Sequence, residues 1–127
     1  NRGLDWRATA VQYSPGYIED FHETTASRAS TVVEMFGLEH SLDASDLDVL
    51  DAYQGPGYGE PDDRVIEAVL MVGKAEGLIL DPNYTGKSMS GLIGELRAGR
   101  VDPEETICFI HSGGLPQLFA HAGKFVD

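Results

Sequence analysis

LILDPNYTGKSMSGLI, residues 78 to 93, is the stretch that decides the fold class. Leu78 to Leu80 form a brief apolar run that Asp81-Pro82 cuts off, because proline has no N–H to give a neighbouring strand. Beyond the break, Met89, Leu92 and Ile93 recur at helical spacing, and Leu96 continues the series. The stretch therefore reads as a short strand, a loop, and an amphipathic helix over about Gly86 to Arg97 that Gly99 closes.

The same alternation runs outward in both directions. Upstream, Arg7 to Tyr13 (RATAVQY) reads as a strand. Ser14-Pro15 reads as an N-cap with proline at the first helical position. The face of that helix is Ile18, Phe21, Thr25, Ala29, Val32 and Phe36, and Gly37 ends it. After an acidic connection, Leu47 to Tyr53 reads as a second strand. Gln54 to Asp63 is a turn-rich loop, and a helix follows over about Asp62 to Glu76 with Val65, Ile66, Val69 and Val72 inward and Gly77 as its stop. Downstream, Thr106 to Ile110 is β-branched, aromatic and apolar and reads as the best strand, and Leu115 to Lys124 as a final helix. Strands alternating with helices imply an α/β fold: a mainly parallel sheet with flanking helices, in a single domain over residues 1–127.

Composition narrows the function. The 127 residues carry a net charge of −12, which speaks against duplex DNA and anionic membranes as partners, since like charges repel. A single cysteine, Cys108, excludes an internal disulfide framework and a cysteine-rich zinc cluster. Its mid-strand place predicts a buried, inert thiol. The longest apolar run, Ala68 to Val72, is far short of the ~18 residues of a membrane span. No basic, apolar leader opens the chain, so a reducing cytoplasm is the expected setting. The four histidines lack metal-ligand spacing, and no metal site is expected. The acidic run from Asp43 fails as a calcium loop, with Asp48 where glycine and Gln54 where glutamate is required. Glu19, Asp20 and Glu23 read as a solvated helix face, and Trp6 as packing.

Three loops carry candidate chemistry, and in parallel sheets such loops converge on ligands at the carboxyl ends of strands. In GPGYGEP, Gly55 to Pro61, three glycines surround Tyr58, which is either a pocket phenol or the surface tyrosine of a turn. In DPNYTGKSM, Asp81 to Met89, Tyr84 and Thr85 precede a helix whose free N–H groups attract negative charge. Thr85 either caps that helix or faces a ligand. Lys87 in its first turn opposes the helix dipole, as a functional or a solvated lysine. HSGG, His111 to Gly114, makes a small anion-binding corner without the GxGxxG spacing or a Walker lysine. Ser112 is not in a GxSxG elbow, and His111 is either a packed strand-end residue or a base.

Taken in order, GPGYGEP, a helix, EGLILDPNYTGKSMSGLI, a strand and IHSGGLPQLFA resemble the carboxyl-terminal part of the 1-aminocyclopropane-1-carboxylate deaminase/D-cysteine desulfhydrase family. These are fold-type-II pyridoxal-phosphate enzymes related to the tryptophan synthase β-subunit. The resemblance covers about Gly55 to Ala120, roughly half the chain. It implies that Tyr58 and Tyr84 are the active-site tyrosines. It places Thr85 near the pyridine nitrogen of the cofactor, and Ser112, Gly113 and Gly114 in the pocket wall. Deaminase members carry glutamate at the Thr85 step and desulfhydrase-like members threonine. A neutral hydroxyl makes the cofactor a weaker electron sink, sufficient to expel a thiolate, so elimination from D-cysteine is favoured over ring opening.

The resemblance also implies pyridoxal phosphate as cofactor, a small amino acid as substrate, and keto acid and ammonia as products. The family's Schiff-base lysine and phosphate loop lie upstream, and Lys74, Lys87 and Lys124 do not match the lysine motif. The expectation is thus the carboxyl-terminal portion of a larger enzyme, inactive alone, with an amino-terminal half or further copies of the chain as partner. The alternative is a non-catalytic ligand-binding or partner domain that keeps the scaffold without the lysine.

Overall fold

Thr9–Val11 (β1) and Asp48–Leu50 (β2) lie side by side as parallel strands, with Thr9 opposite Asp48 and Val11 opposite Leu50. They belong to a computed structural model that describes residues 7–16, 18–39 and 42–125. Trp6 and His40 fall outside those residues. The element order is β1, α1 (Phe21–Met35), a 3₁₀ turn (Ala44–Asp46), β2, α2 (Asp63–Glu76), α3 (Thr85–Arg97), α4 (Pro116–Ala120) and a second 3₁₀ turn (Ala122–Lys124). A parallel pair joined through a helix, with further helices packed against it, is the expected α/β arrangement.

The helices best marked in the sequence form as read. Asp62 caps α2 by accepting from the Val65 N–H at 3.1 Å. Gly77 and Gly99 both take φ +68 as the chain leaves α2 and α3, a conformation that costs glycine no Cβ clash. The core is Val65, Val69 and Leu80, with Val72, Met89, Phe109, Leu118 and Phe125 packed against it. A small-residue face lets α3 sit tightly between its neighbours. A Cβ on Gly86 would lie 3.0 Å from Val65 and Val69 of α2. One on Gly91 would lie 2.8 Å from Val11 of β1, and one on Gly94 2.4 Å from the Tyr53 ring. Tyr53 is itself buried, and its hydroxyl donates to Glu95 at 2.8 Å.

Several expectations need correction. The helix does not begin at Ser14-Pro15, because Gly16 (φ +63) and Asp20 (φ +47) are left-handed and interrupt a right-handed helix before Phe21. Its face is covered only at the start: Val32 is 51% and Phe36 75% exposed. Neither Leu78 to Leu80 nor Thr106 to Ile110 joins a strand ladder among the described residues. Phe109 reaches the core while Ile107, Cys108 and Ile110 are exposed, so Cys108 is not buried. A strand exists only where a neighbour takes its N–H and C=O groups, whatever its β-propensity. Finally, the last helix is two pieces, parted at His121, where φ falls to −115°.

The α3 packing predicts opposite effects from one substitution at two sites. Gly94→Ala forces the Tyr53 ring to shift and lowers stability by about 1–3 kcal/mol. Gly73→Ala, at an exposed position of α2 with only the Leu78 carbonyl at 3.7 Å from the new Cβ, raises it by roughly 0.5–1 kcal/mol. Thermal unfolding of the two variants checks both signs.

Candidate active site

The site is organised by a buried carboxylate. Asp81 accepts from the N–H groups of Asn83 (2.7 Å), Tyr84 (2.8 Å) and Thr85 (2.7 Å) and from the Thr85 hydroxyl (2.7 Å). Its own N–H returns a bond to Thr85 Oγ1 at 2.9 Å, and its carbonyl accepts the Gly86 N–H. Asp81 therefore satisfies the start of α3. Thr85 does not cap the helix; it is the first helical residue, clasped to Asp81. The free N–H groups read from the sequence as an anion site are already taken by this carboxylate.

The three loops do converge on this turn. Asn83 Oδ1 accepts the Gly59 N–H at 2.7 Å, tying in the Tyr58 loop. Gly114 (φ +94) presses on Asp81 so closely that a Cβ would lie 2.6 Å from the carboxyl carbon. His111 donates from its Nε2 to the Ile79 carbonyl at 3.0 Å, which ties the two runs together. Ser112 is exposed, and at Gly113 (φ +102) a Cβ would meet nothing within 4 Å.

Above the turn, the Tyr58 and Tyr84 hydroxyls are 2.7 Å apart. Sequence reading missed a third member, Tyr13, in the segment leaving β1. Its ring packs edge-on to Tyr84 (5.5 Å between centroids) and to Tyr58 (6.0 Å). Tyr84 is pushed up to about 12, first by its hydrogen bond to Tyr58, then by burial and by the charges Tyr58 and Tyr13 acquire on ionising; the Asn83 amide opposes the shift. Tyr84 thus stays a neutral phenol at all physiological pH. Tyr58 is 45% exposed. Below the turn, Lys87 is not solvated: it is fully buried, with its ammonium on two backbone carbonyls. A shallow trough lined by Glu19, Asp20, Glu23, Thr24, Ser27 and Arg28 involves none of these loops, and those acidic residues are a solvated face, as expected.

Residues 7–113 match the sequence model of the pyridoxal-phosphate dependent enzyme family, more than half of the chain. The chain belongs to that family. Relatives named D-cysteine desulfhydrase from Salmonella newport and Salmonella heidelberg are each 47% identical over 77 residues, 61% of this chain and 24% of theirs. A crystal structure of an ACC deaminase homologue is similar at a TM-score of 0.76 and 29% identity, over 95% of this chain and 35% of that one. The arrangement is the fold-type-II one. The chain spans about a quarter of the length of the curated relatives it matches. No described helix is long and apolar enough to cross a membrane.

The family's cofactor is pyridoxal phosphate, and the residues present fit one wall of its site. Asn83 Nδ2 is buried and makes no hydrogen bond of ordinary geometry among the described residues; it is oriented to the Tyr84 hydroxyl, and its amide keeps donor capacity that a polar ring substituent can use. Gly113 leaves its side of the wall bare of side chain. The first turn of α3 does not fit a phosphate, because Asp81 fills it.

Burial makes Asp81 the more sensitive of two helix-start carboxylates. Asp62→Ala removes a half-buried cap and costs about 1 kcal/mol. Asp81→Ala leaves four buried or half-buried donors without their acceptor and costs more than about 3 kcal/mol. Denaturant unfolding of both variants measures the difference.

Proposed function

We propose that the chain is the carboxyl-terminal portion of a pyridoxal-phosphate-dependent lyase that acts on a small amino acid, D-cysteine desulfhydrase-like, giving a keto acid and ammonia. The observation that carries the reading is the Tyr58–Tyr84 hydroxyl pair, two phenols brought from separate loops to 2.7 Å. The kinship to relatives named D-cysteine desulfhydrase supports the choice of substrate class.

When bound, the cofactor supplies an electron sink for bonds at Cα of the amino acid. The chain's own residues orient the substrate and manage protons. Tyr84 keeps its proton and braces Tyr58 through their shared hydrogen bond. Tyr58, the more exposed phenol, orients the substrate and holds or moves a proton at its own oxygen. We assign Thr85, Ser112, Gly113 and Gly114 to the cofactor wall. The Thr85 hydroxyl, which donates to Asp81 here, carries no charge, and unlike a carboxylate it does not hold the ring nitrogen in its protonated form. That difference favours loss of a good leaving group, such as thiolate, over opening of a cyclopropane ring.

The test uses the complete protein that carries this chain, loaded with pyridoxal phosphate and given D-cysteine or 1-aminocyclopropane-1-carboxylate. Sulfide release from D-cysteine is expected, without turnover of the ring compound. Tyr58→Phe and Tyr84→Phe each lower kcat by roughly 10²–10⁴-fold. Turnover of the ring compound alone overturns the substrate assignment. A second reading, a non-catalytic ligand-binding or partner domain, is favoured by the lysines. Lys74 and Lys124 are exposed on α2 and the last 3₁₀ turn, and Lys87 is held by carbonyls. Cofactor or amino-acid binding without any turnover would establish it.

The partner proposed is an amino-terminal half, or further copies, covering the exposed apolar side of two runs. Leu78, Ile79, Ile107 and Ile110 line it, with Ile110 81% exposed. The isolated chain is therefore expected to sediment as species above its 13.7 kDa monomer. Ile110→Lys should shift it towards monomer. A wild-type monomer at high concentration would count against this surface.

A further inference from the structure

We propose that Lys87 is a positioning residue for the tyrosine pair: its buried ammonium ties the segment after β1 to the loop after β2, and so seats Tyr13 and Tyr58 against Tyr84. Its relevance to catalysis rests on the function proposed above; the tie itself does not.

The geometry is that of a strut. Lys87 Nζ donates to the Tyr13 carbonyl and to the Gly57 carbonyl, both at 2.6 Å. Those acceptors lie 74 and 30 residues away in sequence, on segments that the sheet alone does not bring together at this point. Each acceptor sits beside a ring of the cluster. Tyr13 supplies its own carbonyl, and Gly57 directly precedes Tyr58. The two carbonyls on one nitrogen set the two rings edge-on at 6.0 Å, with Tyr84 on the same helix turn as Lys87 meeting both. Gly55 makes room: a Cβ there, at φ +68, would touch Lys87 Cε at 3.5 Å and Nζ at 3.7 Å.

An apolar residue would fill the same volume at less cost. Burying an ammonium is expensive, and a cation in the first turn of a helix opposes the dipole. Burial pulls the lysine's pKa down, while the charges of Asp62, Glu60 and Asp81 pull it up. What methionine at this place cannot do is bond two carbonyls. The lysine's contribution is therefore the connection itself.

Two measurements on the chain test the strut without any cofactor. The first is acylation with acetic anhydride, read lysine by lysine by mass spectrometry. In the native chain Lys74 and Lys124 react and Lys87 is spared at least about tenfold, as burial requires; in denaturant all three react alike. Equal native rates overturn the proposal. The second is absorbance titration of the phenols in Lys87→Met. In the wild type the high phenol is Tyr84, at about 12 and removed by Tyr84→Phe; Tyr53, also raised, by its bond to Glu95, remains in that variant. Because the Tyr84 value exceeds the unfolded one of about 10, the phenol pair adds stability that is full below pH 10 and lost as pH rises through 12. In folded Lys87→Met the high phenol moves back towards 10, and a folded variant that keeps it overturns the proposal. If Lys87→Met fails to fold, the acylation pattern decides. In the complete protein, Lys87→Met lowers kcat by roughly 10²-fold. An unchanged kcat beside an active wild type overturns the positioning role, whereas an inactive wild type counts against the proposed elimination and leaves the strut to the two measurements above.

Discussion

One carboxylate holds the three loops in register. Asp81 is fully buried, and its two oxygens gather four donors from the three residues Asn83, Tyr84 and Thr85. A buried charge is tolerable only when its hydrogen-bonding capacity is filled, and here the start of α3 fills it. The order of causes follows from that. Because the carboxylate needs these donors, the backbone turns sharply at Pro82-Asn83 and throws Tyr84 outward. Because the turn is sharp, the Asn83 amide meets the Gly59 N–H and fetches the Tyr58 loop. Because the carboxyl group is so close to the surface of the turn, only a residue without a Cβ can lie on it at Gly114.

The second constraint is steric. Helix α3 runs between α2, β1 and Tyr53 at distances that a row of glycines makes possible, at Gly86, Gly91 and Gly94. Three glycines in a 13-residue helix weaken its intrinsic propensity by about 1 kcal/mol each, so packing must hold it. Burial is deepest over its first two turns, where Thr85, Gly86, Lys87, Ser90 and Gly91 are all buried and Asp81 and Lys87 are anchored. The end of α3 that carries the candidate chemistry is thus the end most tightly bound to the rest of the molecule. A site meant to hold two phenols at hydrogen-bond distance gains from that rigidity.

Much of this was legible from local signals. Asp62, Gly77 and Gly99 mark the ends of α2 and α3 because capping depends on residues only a few positions apart. The convergence of the loops around Tyr58, Tyr84 and Gly114 was expected from strand-end topology, but only the Tyr58 loop follows a strand; the other two are gathered by the Asp81 turn, through Gly114 packed on its carboxyl group. The Asp81 turn was missed although its signal was present: an Asp-Pro-Asn run before a helix is a local side-chain cap, and the reading assigned the cap to Thr85 instead. Tyr13 and the burial of Lys87 were not legible. Their contacts span 74 residues and depend on which atoms the fold brings together, which no periodicity encodes. Thr106 to Ile110 failed for the complementary reason. Its composition states a preference for being covered on both faces, but a ladder also needs a neighbour, and composition cannot supply one.

The place of Thr85 shows how the two constraints bear on chemistry. Its side chain is 1% exposed, its proton goes to Asp81, and one of its lone pairs accepts the Asp81 N–H. One lone pair remains for a ligand. A glutamate at this step would have to share the turn with Asp81, placing two carboxylates in a space whose donors one of them already uses. Like charges at that separation raise each other's proton affinity, so the second carboxylate would demand a cation or a proton from whatever it faced. With threonine no such demand arises, and the charge of Asp81 is spent within the turn. The electrostatic character of the wall is therefore set by the pairing of Thr85 with Asp81, and it is neutral towards the ring it faces in the proposed enzyme.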